Sequence, residues 1–182
     1  MTKFEKPGKR EWDYPDMVRE ATTMALDDAG LEYSAVETAF TAYCYGDSTS
    51  GQRGLYEVGM TGIPSINVNN NCATGSSALF LARRFVSSGA SDCVLAVGFE
   101  KMQRGSLREY WDDRASATGR HTDAMIARRG LAEAPLASQM FGNAGREYME
   151  KYGVTRETIA KIAVKNHRHS VDNPNSQFRD EY

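Results

Sequence analysis

The side chains best suited to chemistry lie in one short run, Asn69-Asn70-Asn71-Cys72-Ala73-Thr74-Gly75-Ser76-Ser77. A cysteine where a strand gives way to a helix sits among backbone N–H groups without intrahelical partners, at the positive end of the helix dipole. Both features stabilise thiolate over thiol and favour a nucleophile near neutral pH. Cys72 is therefore the candidate catalytic residue, placed on the first turn of the helix. The small side chains of Ala73, Gly75, Ser76 and Ser77 strip bulk from its surroundings, so that another backbone or a substrate can pack there. The residues alone leave a second reading open, in which Cys72 is one more small buried hydrophobe, since free cysteine is among the most buried residue types.

Other side chains offer less. Cys44 and Cys93 fall within strand patterns and read as inert core cysteines, and three scattered cysteines make neither a disulfide framework nor a zinc site. His167 and His169, at spacing i, i+2, face different sides of a helix and lack a third ligand, which argues against a metal; His121, beside Arg120, reads as a surface residue. Gly98, Gly105 and Gly119 do not form a dinucleotide fingerprint.

The elements that must position Cys72 follow from periodicity. Residues 63–69 form a strand with Ile66 and Val68 on one side, and Ala78, Leu81, Ala82, Phe85 and Val86 then follow the helical template. Residues 93–98 are a continuous apolar run, the pattern of a strand covered on both faces. This strand–helix–strand unit predicts a parallel pair joined by a right-handed crossover, and an α/β fold. Upstream, Pro15, the spacing of Val18, Ala21, Ala25 and Ala29, and Gly30 predict a helix over 15–29; residues 36–44 predict a strand and 51–60 a short helix. Residues 103–134 lack a sustained period and read as a loop insertion, and between 101 and 129 seven basic residues against four acidic ones give it a local charge of 7 − 4 = +3. Helical character returns over 135–182, broken at Gly153 and ended by Asn173-Pro174.

Composition sets the outer limits. The chain has 182 residues, 22 Lys+Arg against 24 Asp+Glu, and a net charge of −2, with no balance that seeks a polyanion and so no nucleic-acid partner. Such a length suits one ordinary domain, or part of a larger one, burying roughly two thirds of its unfolded surface. No apolar run approaches the roughly 20 residues of a membrane span, and the expected location is cytosolic or organellar.

The cysteine segment, together with Val94-Leu95-Ala96-Val97-Gly98-Phe99-Glu100-Lys101-Met102 and Gly105-Ser106-Leu107, resembles the thiolase superfamily. Gln139-Met140-Phe141-Gly142, Glu150-Lys151-Tyr152-Gly153, Lys165-Asn166-His167-Arg168-His169-Ser170-Val171 and Asn173-Pro174 resemble its sterol carrier protein-2/SCP-x branch. That resemblance implies the N-terminal half of a thiolase-like fold, a mixed sheet with helices on both faces over 1–102, followed by a loop insertion over 103–134 and its helical continuation over 135–182. It implies that Cys72 attacks the ketone carbon of a 3-oxoacyl-CoA, that acetyl-CoA or propanoyl-CoA leaves, and that free coenzyme A resolves the acyl-enzyme. Coenzyme A is then a co-substrate, with no permanently bound cofactor, and a homodimer or homotetramer is expected. The activating histidine and a second cysteine belong to a C-terminal half outside this sequence, so residues 1–182 alone are expected to lack turnover. The +3 loop would receive coenzyme A phosphates through arginine forks. A thiolase-like aldolase of sterol side-chain degradation, or a non-catalytic lipid- or CoA-binding subunit, are the alternatives; the aldolases lack this cysteine.

Overall fold

Helix α1 (Tyr14–Ala29) begins where its sequence says it must. The Asp13 side chain accepts the Tyr14 N–H at 2.7 Å and Asp16 accepts the Asp13 N–H at 3.0 Å, a reciprocal cap that satisfies N–H groups without helical partners. Gly30, at φ 65°, ends the helix in the left-handed conformation. The computed structural model describes residues 1–103 and 109–181. Arg104, Gly105, Ser106, Leu107 and Arg108, which contribute to the resemblance and to the +3 charge, lie outside the described residues. The chain divides into two compact units, 1–106 and 107–182.

In the first unit, β1 (Thr38–Ala42), α2 (Ser50–Leu55), β2 (Ser65–Val68), α3 (Thr74–Ser87) and β3 (Val94–Gly98) follow α1. The sheet order is β2-β1-β3, with Phe40 in register with Ile66 on one side and Ala96 on the other. Every pairing among these three strands is parallel, so any antiparallel part of the expected mixed sheet lies outside them. The α/β class holds, with helices on both faces of the sheet. The strand–helix–strand unit differs from expectation in one respect: β2 and β3 do not pair with each other, because β1 lies between them.

That order also decides which strand is fully covered. All five residues of β1 are buried. On one face Ala39 and Tyr43 join Val18 of α1, Leu55 of α2, Leu95, Val97 and Phe99; on the other, Phe40 and Ala42 meet Ala78 and Ala82 of α3, with Phe85 edge-on to Phe40 at 4.9 Å. In β3, read from sequence as covered on both faces, Leu95 and Val97 are buried while Ala96 and Gly98 are exposed. Among the described residues β3 lies at the edge of the sheet, paired with β1 on one side. Val86, expected on the apolar face of α3, is exposed as well.

The second unit corrects the loop assignment. Residues 119–129 form α4 (Gly119–Arg129), joined by α5 (Leu136–Tyr152) and α6 (Arg156–Val171). Helix α4 escapes a periodicity search because Met125 is its one buried residue; ion pairs Arg128–Glu147 at 3.5 Å and Arg129–Glu150 at 2.9 Å link it to α5 instead. The Gln139 amide closes the intervening turn, accepting the Ala132 N–H at 3.0 Å and donating to its carbonyl at 2.9 Å. Among the described residues no helix is long and apolar enough to cross a membrane.

Candidate active site

Three parallel strands deliver their C-terminal ends to one edge of the sheet, the edge at which open α/β sheets place ligands. There β1 runs into Cys44 and Tyr45, β2 into Asn69–Cys72 and β3 into Phe99 and Glu100. Sequence distance is thereby erased: Cys44 and Glu100, 56 residues apart, share a hydrogen bond.

Cys72 is exposed, which removes its reading as a buried hydrophobe. It also stands slightly outside its expected place. Helix α3 starts at Thr74 with Ala73 as its cap, so Cys72 precedes the cap and is not on the first turn. The residue before it, Asn71, has φ 49°, a left-handed conformation that asparagine tolerates better than most residues. The reversal at Asn71 turns the chain out of β2 and into α3, with Ala73 N–H donating to the Asn70 carbonyl and Thr74 N–H to the Asn71 carbonyl, both at 3.0 Å.

Side chains lock this reversal. The Thr74 hydroxyl accepts the Asn70 N–H at 2.9 Å and donates to the Asn71 carbonyl. The Asn70 amide donates to Ser77 Oγ at 2.9 Å, and Ser77 Oγ donates to the Ala73 carbonyl at 2.9 Å. Ser77 is therefore a polar clip, not merely a small residue. At Gly75 a Cβ would meet nothing within 4 Å among the described residues, so the space beside the reversal is open.

Cys44 differs most from expectation. It is half-buried at the end of β1, and its thiol donates to the Asn71 carbonyl at 3.1 Å and lies 3.3 Å from the Thr74 hydroxyl. Burial pushes this thiol's pKa up; the Thr74 hydrogen bond acts the other way, and the negative charge of Glu100 and the nearby Cys72 add to the rise. Glu100 accepts the Cys44 N–H at 3.0 Å through Oε2 and the Tyr45 N–H at 2.9 Å through Oε1. Sequence reasoning passed over Cys44, Thr74 and Glu100 as site residues, although a carboxylate just past a parallel strand was a usable signal for Glu100. Beside them a cleft of about 180 Å³ is bordered by Cys44, Gly46, Asp47, Asn67 and Asn69.

Cys93 precedes β3 and packs against the larger core cluster. His121 is exposed on α4, and His167 and His169 lie on α6, all in the second unit. Among the described residues no group of three His, Cys, Asp or Glu side chains is arranged to hold a metal ion.

Comparison with known proteins bears on these residues as a whole. The family model for the thiolase N-terminal domain matches residues 1–182. Sterol carrier protein 2 of Homo sapiens is 58% identical over 184 residues, covering 100% of this chain and 34% of the relative. Non-specific lipid-transfer protein-like 2 of Caenorhabditis elegans is 55% identical over 186 residues, covering 100% of this chain and 45% of that protein. Acetyl-CoA acetyltransferase of Methanothermobacter thermautotrophicus is 30% identical over 174 residues, covering 92% of this chain and 43% of its own length. The chain thus spans about a third to somewhat under half of the length of these relatives.

Proposed function

The chain belongs to the thiolase family, and from that premise we propose that it carries the nucleophile of an acyl-CoA C-acyltransferase acting on 3-oxoacyl-CoA. The observation that carries this reading is the exposed thiol of Cys72, presented by a locked reversal at the sheet edge where three strands end.

In the reaction, the Cys72 thiolate adds to the C3 ketone carbon of the substrate and the C2–C3 bond breaks. The acyl group remains on sulfur as a thioester. The departing C2 fragment takes a proton and leaves as acetyl-CoA, or as propanoyl-CoA where C2 bears a methyl group. The thiol of free coenzyme A then attacks the thioester, which returns Cys72 to its thiolate and releases the shortened acyl-CoA. Coenzyme A is the co-substrate throughout. The histidine and second cysteine that move protons in this family would come from residues beyond 1–182, and the protein would act as a homodimer or homotetramer.

A second reading is favoured by the names of the relatives, which include a non-specific lipid-transfer protein. In it the domain binds acyl-CoA or lipid without cleaving it. Incubating the full-length protein with a 3-oxoacyl-CoA and free coenzyme A separates the two: release of acetyl-CoA or propanoyl-CoA that disappears in Cys72→Ala supports the transferase. Binding without release, unchanged in Cys72→Ala, supports the carrier.

A further inference from the structure

Glu100 follows β3 at the carboxyl edge of the sheet, yet its carboxylate is spent on another strand. Two consecutive backbone N–H groups, of Cys44 and Tyr45, converge on its two oxygens at 3.0 and 2.9 Å. Hydrogen bonds from backbone N–H to an ionised acceptor are the stronger kind, so this contact fixes where β1 ends and how the Cys44 side chain leaves it. From that position the Cys44 thiol reaches the carbonyl of Asn71 at 3.1 Å. The same carbonyl accepts the Thr74 hydroxyl and the Thr74 N–H. Asn71 is the residue next to Cys72 and holds the left-handed backbone on which the presentation of Cys72 depends.

We propose that Glu100 is a positioning residue for Cys72, acting through the backbone N–H of Cys44 and, beyond it, the Cys44 thiol on the Asn71 carbonyl.

The arrangement also divides labour between two neighbouring thiols. Cys44 can hold the Asn71 carbonyl only while it keeps its proton, since a thiolate has nothing to donate. The groups that act on Cys44 are Glu100 from the β3 end, and Thr74 and Cys72 from the β2–α3 turn; burial, Glu100 and Cys72 all favour the protonated form. Cys44 is thereby kept as a donor, while Cys72 is the exposed thiol. Burial first, and then the same carboxylate that sets the geometry, keep Cys44 from becoming an additional nucleophile beside Cys72.

The proposal rests on Cys72 being the reacting thiol only for its effect on turnover; the arrangement itself is read without substrate. The experiment follows iodoacetamide labelling of each cysteine, by peptide mapping across about pH 7 to 10, in the full-length protein and in Glu100→Gln, Glu100→Asp, Cys44→Ala and Cys44→Ser. Gln removes the charge and replaces one acceptor oxygen with a donor. Glu100→Gln should shift the Cys44 labelling profile to lower pH and slow Cys72 labelling by about fivefold, the worth of one lost hydrogen bond, with Glu100→Asp partly restoring both. Cys44→Ala should slow Cys72 labelling by a similar factor, and Cys44→Ser, which keeps a donor, should return it to within about twofold. Cys72 labelling within about twofold of the native protein in Cys44→Ala, or an equal loss in Cys44→Ala and Cys44→Ser, overturns the proposal, even if Glu100→Gln does not fold. If the labelling pattern holds and no acyl group is ever found on Cys72, the function is wrong and the positioning is right.

Discussion

The side-chain carbonyl of Asn67 accepts the backbone N–H of Gly51 at 3.1 Å, a contact that helps to seat the short helix α2 on the sheet. The same oxygen accepts the Thr41 hydroxyl at 3.0 Å, while the Asn67 amide donates to Gln52 at 2.7 Å. Such close seating requires a residue without Cβ: one built on Gly51 would fall 1.9 Å from Thr41 Oγ1 and 2.2 Å from Asn67 Oδ1. Both neighbours are short and hydrogen-bonded, so neither swings aside freely.

Gly51→Ala is therefore expected to destabilise the protein by about 2–3 kcal/mol, in the range of overpacked cores. Urea unfolding checks it, and a loss below about 0.5 kcal/mol, ordinary for a surface change, would show that the helix can lift without consequence.

Gly75 is the contrasting case. It lies in the first turn of α3 with open space where its Cβ would be. Gly75→Ala should stabilise the protein by up to about 1 kcal/mol through helix propensity, seen as a raised thermal midpoint.

These two glycines illustrate what the sequence could disclose. Helix α1 was legible almost to the residue because its signals are local: Pro15 and Gly30 bracket an apolar stripe containing Val18. The neighbourhood of Cys72 was legible as a strand running into a helix. The small residues around it were read as room for another backbone or a substrate, and Gly75 does face open space among the described residues, while Gly51, in a segment that drew only a short-helix assignment, makes the close approach to Thr41 and Asn67. Strand order was hidden, since no local pattern says that β1 lies between β2 and β3. Cys44 was hidden with it: in an apolar run it looks like core, and only the parallel register brings it to Asn71. Helix α4 failed a periodicity test because charge pairs, not an apolar stripe, tie it to α5.

Asp13 gives a prediction with a pH signature. Its carboxyl is held below the usual carboxylate range first by the Tyr14 N–H and then by Lys101, whose Nζ lies 3.1 Å away. Asp13→Ala should cost about 1 kcal/mol through the lost cap. Because the folded pKa is depressed, the ionised carboxylate stabilises the fold above its unfolded pKa of about 3.9, and that contribution is lost as pH falls through the folded value. Denaturant midpoints of native protein and Asp13→Asn should therefore converge below about pH 4, by a small amount because the side chain is largely solvated.

Cys44 predicts the opposite pH trend. Its folded pKa is raised, chiefly by burial, so the neutral thiol stabilises the fold fully below the unfolded thiol value of about 8.5, and this is lost as pH rises through the folded value. Between about pH 7 and 10 the native protein should lose more stability than Cys44→Ser, whose hydroxyl does not titrate there. Parallel slopes in urea midpoint against pH would contradict the environment assigned to Cys44.

The central claim is that Cys72 carries the acyl group. Full-length protein is mixed with a 3-oxoacyl-CoA in the absence of free coenzyme A, quenched in acid, digested and mapped by mass spectrometry. The predicted result is the acyl mass on the peptide that contains Cys72, absent from the peptides of Cys44 and Cys93, and lost in Cys72→Ala. An acyl group on Cys44 or Cys93, or acetyl-CoA released at the native rate by Cys72→Ala, would contradict it.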